Sequence, residues 1–292
     1  APESSVTLPH LILILSINVI WGMMYVAGKL GVDQFEPLFF TGLRFALLTV
    51  CLLPFLRIVP GRMKRLLTFC VVMGIVHYTF IYYAIDHAEN VGSIAILSKL
   101  SVPFSVILAI IFFGEHVGAW RVAGIGTAFM GVLVIGFDPV VFNNLDSVVM
   151  VLAAALMFSI AALIVKSLKD VNVFTINAWI SAVSFGPLLG LSFLFEEDQI
   201  NSLVTADWFD WSMLVYSAVL VSIFGHGGVY YLLQRYPISL ITPWLLLVPI
   251  IGVAGGILFL GDEMTWRLGI GGILTISGIA IVSLREAQKK AI

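Results

Sequence analysis

Three basic side chains stand inside long apolar segments of this sequence: Arg44, His77 and Lys99. Each lies about eight residues from the nearer end of its segment, which is about 12 Å along a helix. A cation inside a membrane helix costs about 2.5–3.5 kcal/mol at the centre unless it meets water, an opposite charge or a ligand. Because no Asp or Glu lies deep in any apolar segment, a cavity that binds an anionic group would account for these cations. The alternative for Lys99 and Arg44 is that their long side chains reach the lipid headgroups.

Aromatic side chains recur at helical spacing around these cations. Residues at this spacing share one face of a helix. One such face consists of His77, Tyr78, Ile81, Tyr82 and Ile85, and a face on the first helix consists of Asn18, Trp21, Gly22 and Tyr25. Trp179 and Trp244 also lie within apolar segments. Tyr and Trp ordinarily concentrate at the level of the headgroups, so deep ones indicate a pocket that stacks an apolar solute and offers hydrogen bonds. Simple helix packing is the alternative for each residue.

Three prolines, Pro103, Pro243 and Pro249, fall in two of the apolar segments. Proline removes a backbone donor and kinks a helix, so these positions are candidates for lining or hinging a pathway. The alternative is that membrane helices tolerate proline.

The same segments lack the residue patterns of intramembrane catalysis. We find no paired deep carboxylates, no cluster at metal-ligand spacing and no glycine-framed serine beside a base, and an intramembrane enzyme needs one of these. The sequence therefore predicts a protein that is not an enzyme and that uses no metal or cofactor. The basic residues are scattered, which fits attraction to phospholipid and gives no support to nucleic-acid binding.

The composition shows which elements must hold these side chains. The chain of 292 residues is 60% hydrophobic and 11% charged, whereas soluble domains are about 45–50% apolar and about 25% charged. A spanning helix needs about 20 apolar residues, and candidate segments fall at 10–30, 37–56, 66–85, 91–113, 119–136, 147–166, 173–195, 210–232, 239–260 and 266–284. No basic stretch precedes the first segment, so we expect a helix there and not a signal peptide. The sequence predicts an all-α integral membrane protein of about ten transmembrane helices.

Charges separate between the two ends of these helices. With ten spans, eleven Lys and Arg residues share the end that holds both termini and the even-numbered turns, and only Lys29 and Arg267 lie at the other. Thirteen acidic residues lie at that second end. We call the two the basic end and the acid-rich end. The positive-inside rule places the basic end and both termini in the cytoplasm.

The sequence also contains an internal repeat. Matching positions, 146 to 148 residues apart, are Gly114 and Gly261, Trp120-Arg121 and Trp266-Arg267, Tyr82-Tyr83 and Tyr230-Tyr231, and Pro103 and Pro249. The predicted copies, 1–137 and 146–285, each hold five spans, and this odd number gives them opposite orientations. Inverted repeats place a site near the mid-plane and permit alternating access. The second copy has Leu245 and Ser181 where the first has Lys99 and Arg44. A requirement of the scaffold is expected in both copies, so this difference favours a role in substrate binding.

Several motifs together carry a family resemblance. They are Asn18-Val19-Ile20-Trp21-Gly22, Gly114-Glu115 before Trp120-Arg121, Gly261-Asp262-Glu263 before Trp266-Arg267, and the glycines at 124, 126, 131, 136, 269, 271, 272 and 278. With them the chain resembles the drug/metabolite transporter superfamily with tandem EamA-type repeats, over about residues 10–284. Members export amino acids, other metabolites or drugs from bacteria, or carry sugar phosphates and nucleotide sugars in organelles. This chain is most similar to bacterial amino-acid exporters, including those for aromatic amino acids, but its second copy lacks the Trp-Gly pair.

The resemblance and the residues together predict an inner-membrane carrier that exports amino acids and related metabolites by alternating access. Candidate substrate-binding residues are Lys99, His77, Tyr78, Tyr82, Trp21, Trp179, Trp244 and Arg44, and candidate pathway or hinge residues are Pro103, Pro243 and Pro249. The expected partners are an amino-acid-like solute and membrane lipid, and homo-oligomerisation is left open. Transport of drugs or sugar phosphates, or a channel, are the alternatives. The driving force is either the solute gradient or a proton carried by His77 or His226.

Overall fold

The computed structural model describes residues 7–113, 118–138, 144–165, 168, 170–235, 244–245 and 247–290, and every regular element in these ranges is a helix. We number them α1 (Leu8–Gln34), α2 (Pro37–Leu52), α3 (Met63–Asp86), α4 (91–113), α5 (Ala119–Gly136), α6 (Leu145–Val165), α7 (Val173–Phe195), α8 (Gln199–Thr205), α9 (208–235), α10 (Leu247–Leu260) and α11 (Trp266–Lys290). Most bounds lie close to the predicted ones. The short helix α8 was not predicted, and Pro243 lies outside the described residues.

Six of the described helices are long and apolar enough to cross a membrane: α1, α2 with its 3₁₀ extension to Phe55, α3, α6, α7 and α9. Shorter apolar stretches occupy Val91–Ser105, Val122–Ile135, Leu247–Leu260 and Trp266–Ile281. The prediction of an all-helical membrane protein is therefore confirmed, and the count of ten spans stays a prediction.

Local sequence signals explain where several helices begin and end. A proline occupies the first turn of α1 and of α2, where its missing N–H costs nothing. Asn90 and Asn172 cap the starts of α4 and α7 with their side chains, and Asp207 caps α9; these are strong N-cap residues. Gly261 ends α10 with φ of +74°, a backbone conformation that favours glycine.

The surface of the bundle is suited to lipid. Large apolar side chains such as Phe112, Leu194 and Leu258 are at least 70% exposed, which water would not favour over so many positions. Exposed tryptophans lie in the first turns of α9 and α11, namely Trp208 and Trp266. Tryptophan at helix ends is typical of the membrane interface.

Helices α5 and α11, which occupy matching places in the two predicted copies, pack closely and antiparallel. A Cβ on Gly131 would lie 2.5 Å from the carbonyl oxygen of Gly271, and a Cβ on Gly278 would lie 2.5 Å from that of Gly124. Gly131 and Gly278 are repeat partners, as are Gly124 and Gly271, so the two contacts are related by an approximate two-fold axis. Copies of opposite orientation would pack in this way, which supports the proposed inverted repeat.

Candidate functional site

A cavity lies between α1, α3, α4, α6, α9 and α10 and contains about 770 Å³ of unfilled space, including the part that opens outward. Five of the predicted site residues line it: Trp21, His77, Tyr78, Tyr82 and Lys99. They meet there because the predicted helical face of α3 points towards α1 and α4. The remaining wall is mostly apolar, and its other lining residues are Met24, Tyr25, Met73, Ile81, Ile85, Ser98, Ser101, Ala154, Ala155, Phe158, His226 and Val248.

Lys99 carries an unpaired positive charge into this cavity. In the described part of the chain its ammonium group has no ion pair and no hydrogen bond, and its nearest aromatic contact is the Trp21 ring, whose centroid lies 6.0 Å from Nζ. No Asp or Glu is among the described residues that line the cavity. An unpaired ammonium in an apolar cavity is suited to an anionic ligand group, because the interior screens charge far less than water does.

Pro103 accounts for the change of helix type at Lys99. Proline has no N–H for the carbonyl four residues before it, and that carbonyl belongs to Lys99. Helix α4 accordingly changes from α-helix at Val91–Leu97 to a 3₁₀ turn at Ser98–Leu100, and then resumes as α-helix at Ser101–Phe113. In the second copy Trp244 and Leu245 also form a 3₁₀ turn, four to five residues before Pro249. Neither proline lines the cavity.

Arg44 lies behind the cavity wall and not in it. The side chain is 0% exposed, and its guanidinium donates to Tyr82 Oη at 2.9 Å, Ser222 Oγ at 3.0 Å and Tyr78 Oη at 3.3 Å. It also lies 4.5 Å from the centroid of the Tyr78 ring, a favourable cation–π distance. Arg44 therefore holds two tyrosines whose rings face the cavity.

Two histidines and Trp21 are fixed by main-chain carbonyls. His77 Nδ1 lies 2.8 Å from the Ala154 oxygen, and His226 Nδ1 lies 3.0 Å from the Val221 oxygen. Trp21 Nε1 donates to the same Val221 oxygen at 3.4 Å. Both histidines end π-helical segments, Cys70–His77 and Tyr216–His226, and such segments often occur at functional sites.

The two later tryptophans lie away from this cavity. Trp179 Nε1 donates to the carbonyl oxygen of Arg57 at 2.8 Å near the basic end, and Trp244 is 38% exposed. Neither is among the residues that line the cavity. Their positions within apolar segments did not determine which direction each side chain faces.

A second space adjoins the cavity on the side of the basic end. It shares Met73, Tyr78, Phe158 and His226 with the first cavity. It then reaches Phe69 near the start of α3, Val165 at the end of α6 and Asn177 in the second turn of α7, together with Phe45, Leu48, Ala161, Ala162, Ile176, Ile180 and Ser222. The second space therefore lies on the basic-end side of the cavity.

Polar contacts join the two copies at the acid-rich end. Glu196, after α7, accepts hydrogen bonds from Leu38 N at 2.7 Å, Phe39 N at 3.0 Å and Tyr83 Oη at 3.0 Å. The backbone donors belong to the first turn of α2, where the helix dipole favours a negative charge. Gln34 adds bonds from Nε2 to Ser202 O and Thr205 Oγ1, each 2.9 Å long.

A second carboxylate makes a similar contact at the start of α4. Asp262 accepts from Gly92 N at 3.1 Å, and Asn90 Nδ2 donates to the carbonyl oxygen of Glu263 at 3.0 Å. Burial raises the pKa of the Asp262 carboxyl above its ordinary value, although the N–H groups of Gly92 and Val91 lower it. In this contact Asp262 thus binds a proton more readily than an exposed aspartate does.

The sequence model of the EamA-like transporter family matches this chain twice, over residues 8–137 and 146–284. The chain belongs to the EamA-like transporter family. The predicted family resemblance is confirmed, and the molecule is a multi-pass membrane transporter for a small-molecule substrate. Family membership also indicates a transporter and not an enzyme.

Relatives of this EamA-like transporter cover nearly its whole length. A probable amino-acid metabolite efflux pump of Escherichia coli strain K12 is 27% identical, covering 96% of this chain and 97% of the relative. A probable terminal-alkyne amino-acid exporter of Streptantibioticus cattleyicolor is 25% identical over 93% and 92%. A crystal structure with 15% identity has a TM-score of 0.62 over 97% of this chain and 99% of that chain, which shows a shared fold.

Sequence reasoning did not assign His226 to the site, although it identified the residue as deep. The repeat could have assigned it, because the spacing that pairs Tyr82 with Tyr230 also pairs Tyr78 with His226. Ser98 and Ser101 were missed as well, since neither differs in the sequence from an ordinary small helical residue.

Proposed function

We propose that this protein exports amino acids and similar small metabolites across the bacterial inner membrane by alternating access through the described cavity. The observation that carries the proposal is the unpaired ammonium of Lys99 in an aromatic-lined cavity between the two copies. The Lys99 ammonium attracts the carboxylate of the substrate, and Trp21, Tyr78 and Tyr82 contact the side chain of the substrate. Relatives named as amino-acid exporters support this substrate class.

The proposed orientation places the basic end and both termini in the cytoplasm. The contacts of Glu196 and Asp262 then close the periplasmic side, and the second space lies on the cytoplasmic side of the cavity. The arrangement is that of a carrier ready to receive a cytoplasmic solute. Export requires that the contacts at the acid-rich end break while others form at the basic end.

Counterflow in proteoliposomes tests the proposal. Vesicles loaded with unlabelled L-phenylalanine should take up labelled L-phenylalanine faster than empty vesicles do, with saturation, and other large amino acids should compete. A flux that is linear in concentration, without stimulation by internal solute, would indicate a channel. Competition by a sugar phosphate or a cationic drug, but by no amino acid, would refute the substrate class.

Glu196→Gln is expected to loosen the acid-rich end. The amide has one acceptor oxygen in place of two and lacks the charge that strengthens both backbone hydrogen bonds, each worth about 1.5–3 kcal/mol. With Ser101→Cys as a cavity reporter in a Cys51→Ser/Cys70→Ala background, labelling by an impermeant maleimide added at the acid-rich side should rise about 10-fold. Glu197→Gln, a change at the exposed neighbouring residue, serves as control. Equal labelling rates in Glu196→Gln and Glu197→Gln would show that Glu196 does not help to close the acid-rich end.

A further inference from the structure

The hydrogen bonds of His77 and His226 determine which ring nitrogen carries the proton. In each residue Nδ1 faces a main-chain carbonyl oxygen, of Ala154 at 2.8 Å and of Val221 at 3.0 Å. A carbonyl oxygen can only accept, so Nδ1 must carry a hydrogen. In the neutral imidazole the other nitrogen, Nε2, then has a free lone pair and acts as an acceptor.

Both Nε2 atoms belong to residues that line the cavity. Within the part of the chain that the structure describes, neither atom has a hydrogen-bond partner, and neither is among the buried atoms left unsatisfied. Both residues line the cavity, and His226 also lines the second space, so these spaces are where a ligand would meet the two Nε2 atoms. The first histidine comes from α3 and the second from α9, so each predicted copy supplies one acceptor.

The described lining of the cavity has no anionic group for a positively charged ligand group. Lys99 Nζ can only donate, and none of the described lining residues is an Asp or Glu. The Ser98 hydroxyl is already bonded to Tyr25 Oη at 2.6 Å and to the carbonyl oxygen of Ala95 at 3.0 Å. The two imidazole nitrogens are therefore neutral acceptors for a donor on the ligand, beside the hydroxyl groups and aromatic faces that also line the cavity.

We propose that Nε2 of His77 and Nε2 of His226 form the acceptor side of the substrate site and bind the ammonium group of an amino acid. Lys99 binds the carboxylate of the same molecule, so the site recognises both charges of the zwitterion. This inference rests on the proposed function. It adds that the site selects compounds with a free amino group, since a compound without one leaves a buried acceptor unpaired.

The ratio of two counterflow rates tests the inference. L-phenylalanine is compared with 3-phenylpropionate, which has the same ring and carboxylate but no amino group, in proteoliposomes at pH 7.5. The wild type should favour phenylalanine by at least about 10-fold. In His226→Met and in His77→Met the ratio should fall several-fold towards one. His226→Gln, whose Oε1 can replace Nε2 as acceptor, should keep most of the preference.

The ratio is measured on one protein sample, so it does not depend on how much of a variant is folded. Unchanged ratios in both methionine variants, with phenylalanine still exchanged, would overturn the inference and leave the proposed function intact. Exchange of neither compound by the wild type would instead contradict the proposed function.

Discussion

Lys99→Met is expected to lower amino-acid export by about 10- to 100-fold at equal membrane abundance. A hydrogen bond between charged groups is worth about 1.5–3 kcal/mol, and about 1.4 kcal/mol is a factor of ten. The carboxylate would enter an apolar cavity without its counter-charge, because no other cation lines the described wall. The measurement is efflux of labelled L-phenylalanine from preloaded cells.

The same variant should not be less stable than the wild type. Methionine fills nearly the same volume, and removing an unpaired cation from the membrane interior removes an energetic cost. Unchanged or raised thermal stability together with lost export would separate a binding role from a structural one. Lys99→Arg should retain part of the activity, and Lys64→Met, which removes an exposed lysine near the basic end, should retain all of it. Wild-type export in both Lys99→Ala and Lys99→Met would exclude a role of Lys99 in substrate binding.

Gly131→Val is expected to cause the largest loss of stability among the changes considered. A Cβ at this position would lie 2.5 Å from Gly271 O and 2.6 Å from Thr275 N, which are backbone atoms that cannot rotate away. The two helices would have to separate, and overpacking of this kind costs about 1–3 kcal/mol or more. Such a cost is a large fraction of a net stability of about 5–15 kcal/mol.

Gel filtration in mild detergent after stepwise heating measures this effect. Gly131→Val should aggregate at a clearly lower temperature than the wild type. Gly278→Val should behave alike, since a Cβ there would meet the backbone of Gly124 and Ala128. Gly126→Val on the same helix is the control, because nothing lies within 4 Å of its added Cβ. Similar midpoints for Gly126→Val and Gly131→Val would refute the close contact of α5 and α11.

Much of the site could be predicted because helical periodicity fixes which residues share a face. His77, Tyr78 and Tyr82 are spaced to lie on one side of α3, and the structure turns that side towards the cavity. Lys99 and Trp21 could be assigned to a pocket, because an unpaired cation and a deep aromatic ring each need a suitable environment in the membrane. These are local properties, and the sequence contains them.

The rotation of a helix about its axis depends on packing against its neighbours, which local sequence does not contain. Arg44 is buried, but contact of α2 with α3 and α9 directs its guanidinium to Tyr78, Tyr82 and Ser222, behind the wall. Trp179 is turned to the Arg57 carbonyl for the same kind of reason. The π-helical segments before His77 and His226 have no sequence signal that we could have used.

Closure of the acid-rich end could be predicted only as a pattern of charge. Thirteen acidic residues were assigned to that end, but their positions alone did not single out Glu196 or Asp262. Both act by meeting free N–H groups at helix starts contributed by the other copy. Such contacts join residues more than 150 positions apart, and only the folded chain brings them together.

Substrate protection of the cavity reporter tests the central claim most directly. In the Ser101→Cys protein, without Cys51 and Cys70, a transported amino acid should slow maleimide labelling. Half-maximal protection should occur near the concentration that half-saturates counterflow, and Lys99→Met in the same background should abolish the protection. If a transported amino acid leaves labelling of Ser101→Cys unchanged at saturating concentration, the substrate does not bind in this cavity and the account is wrong.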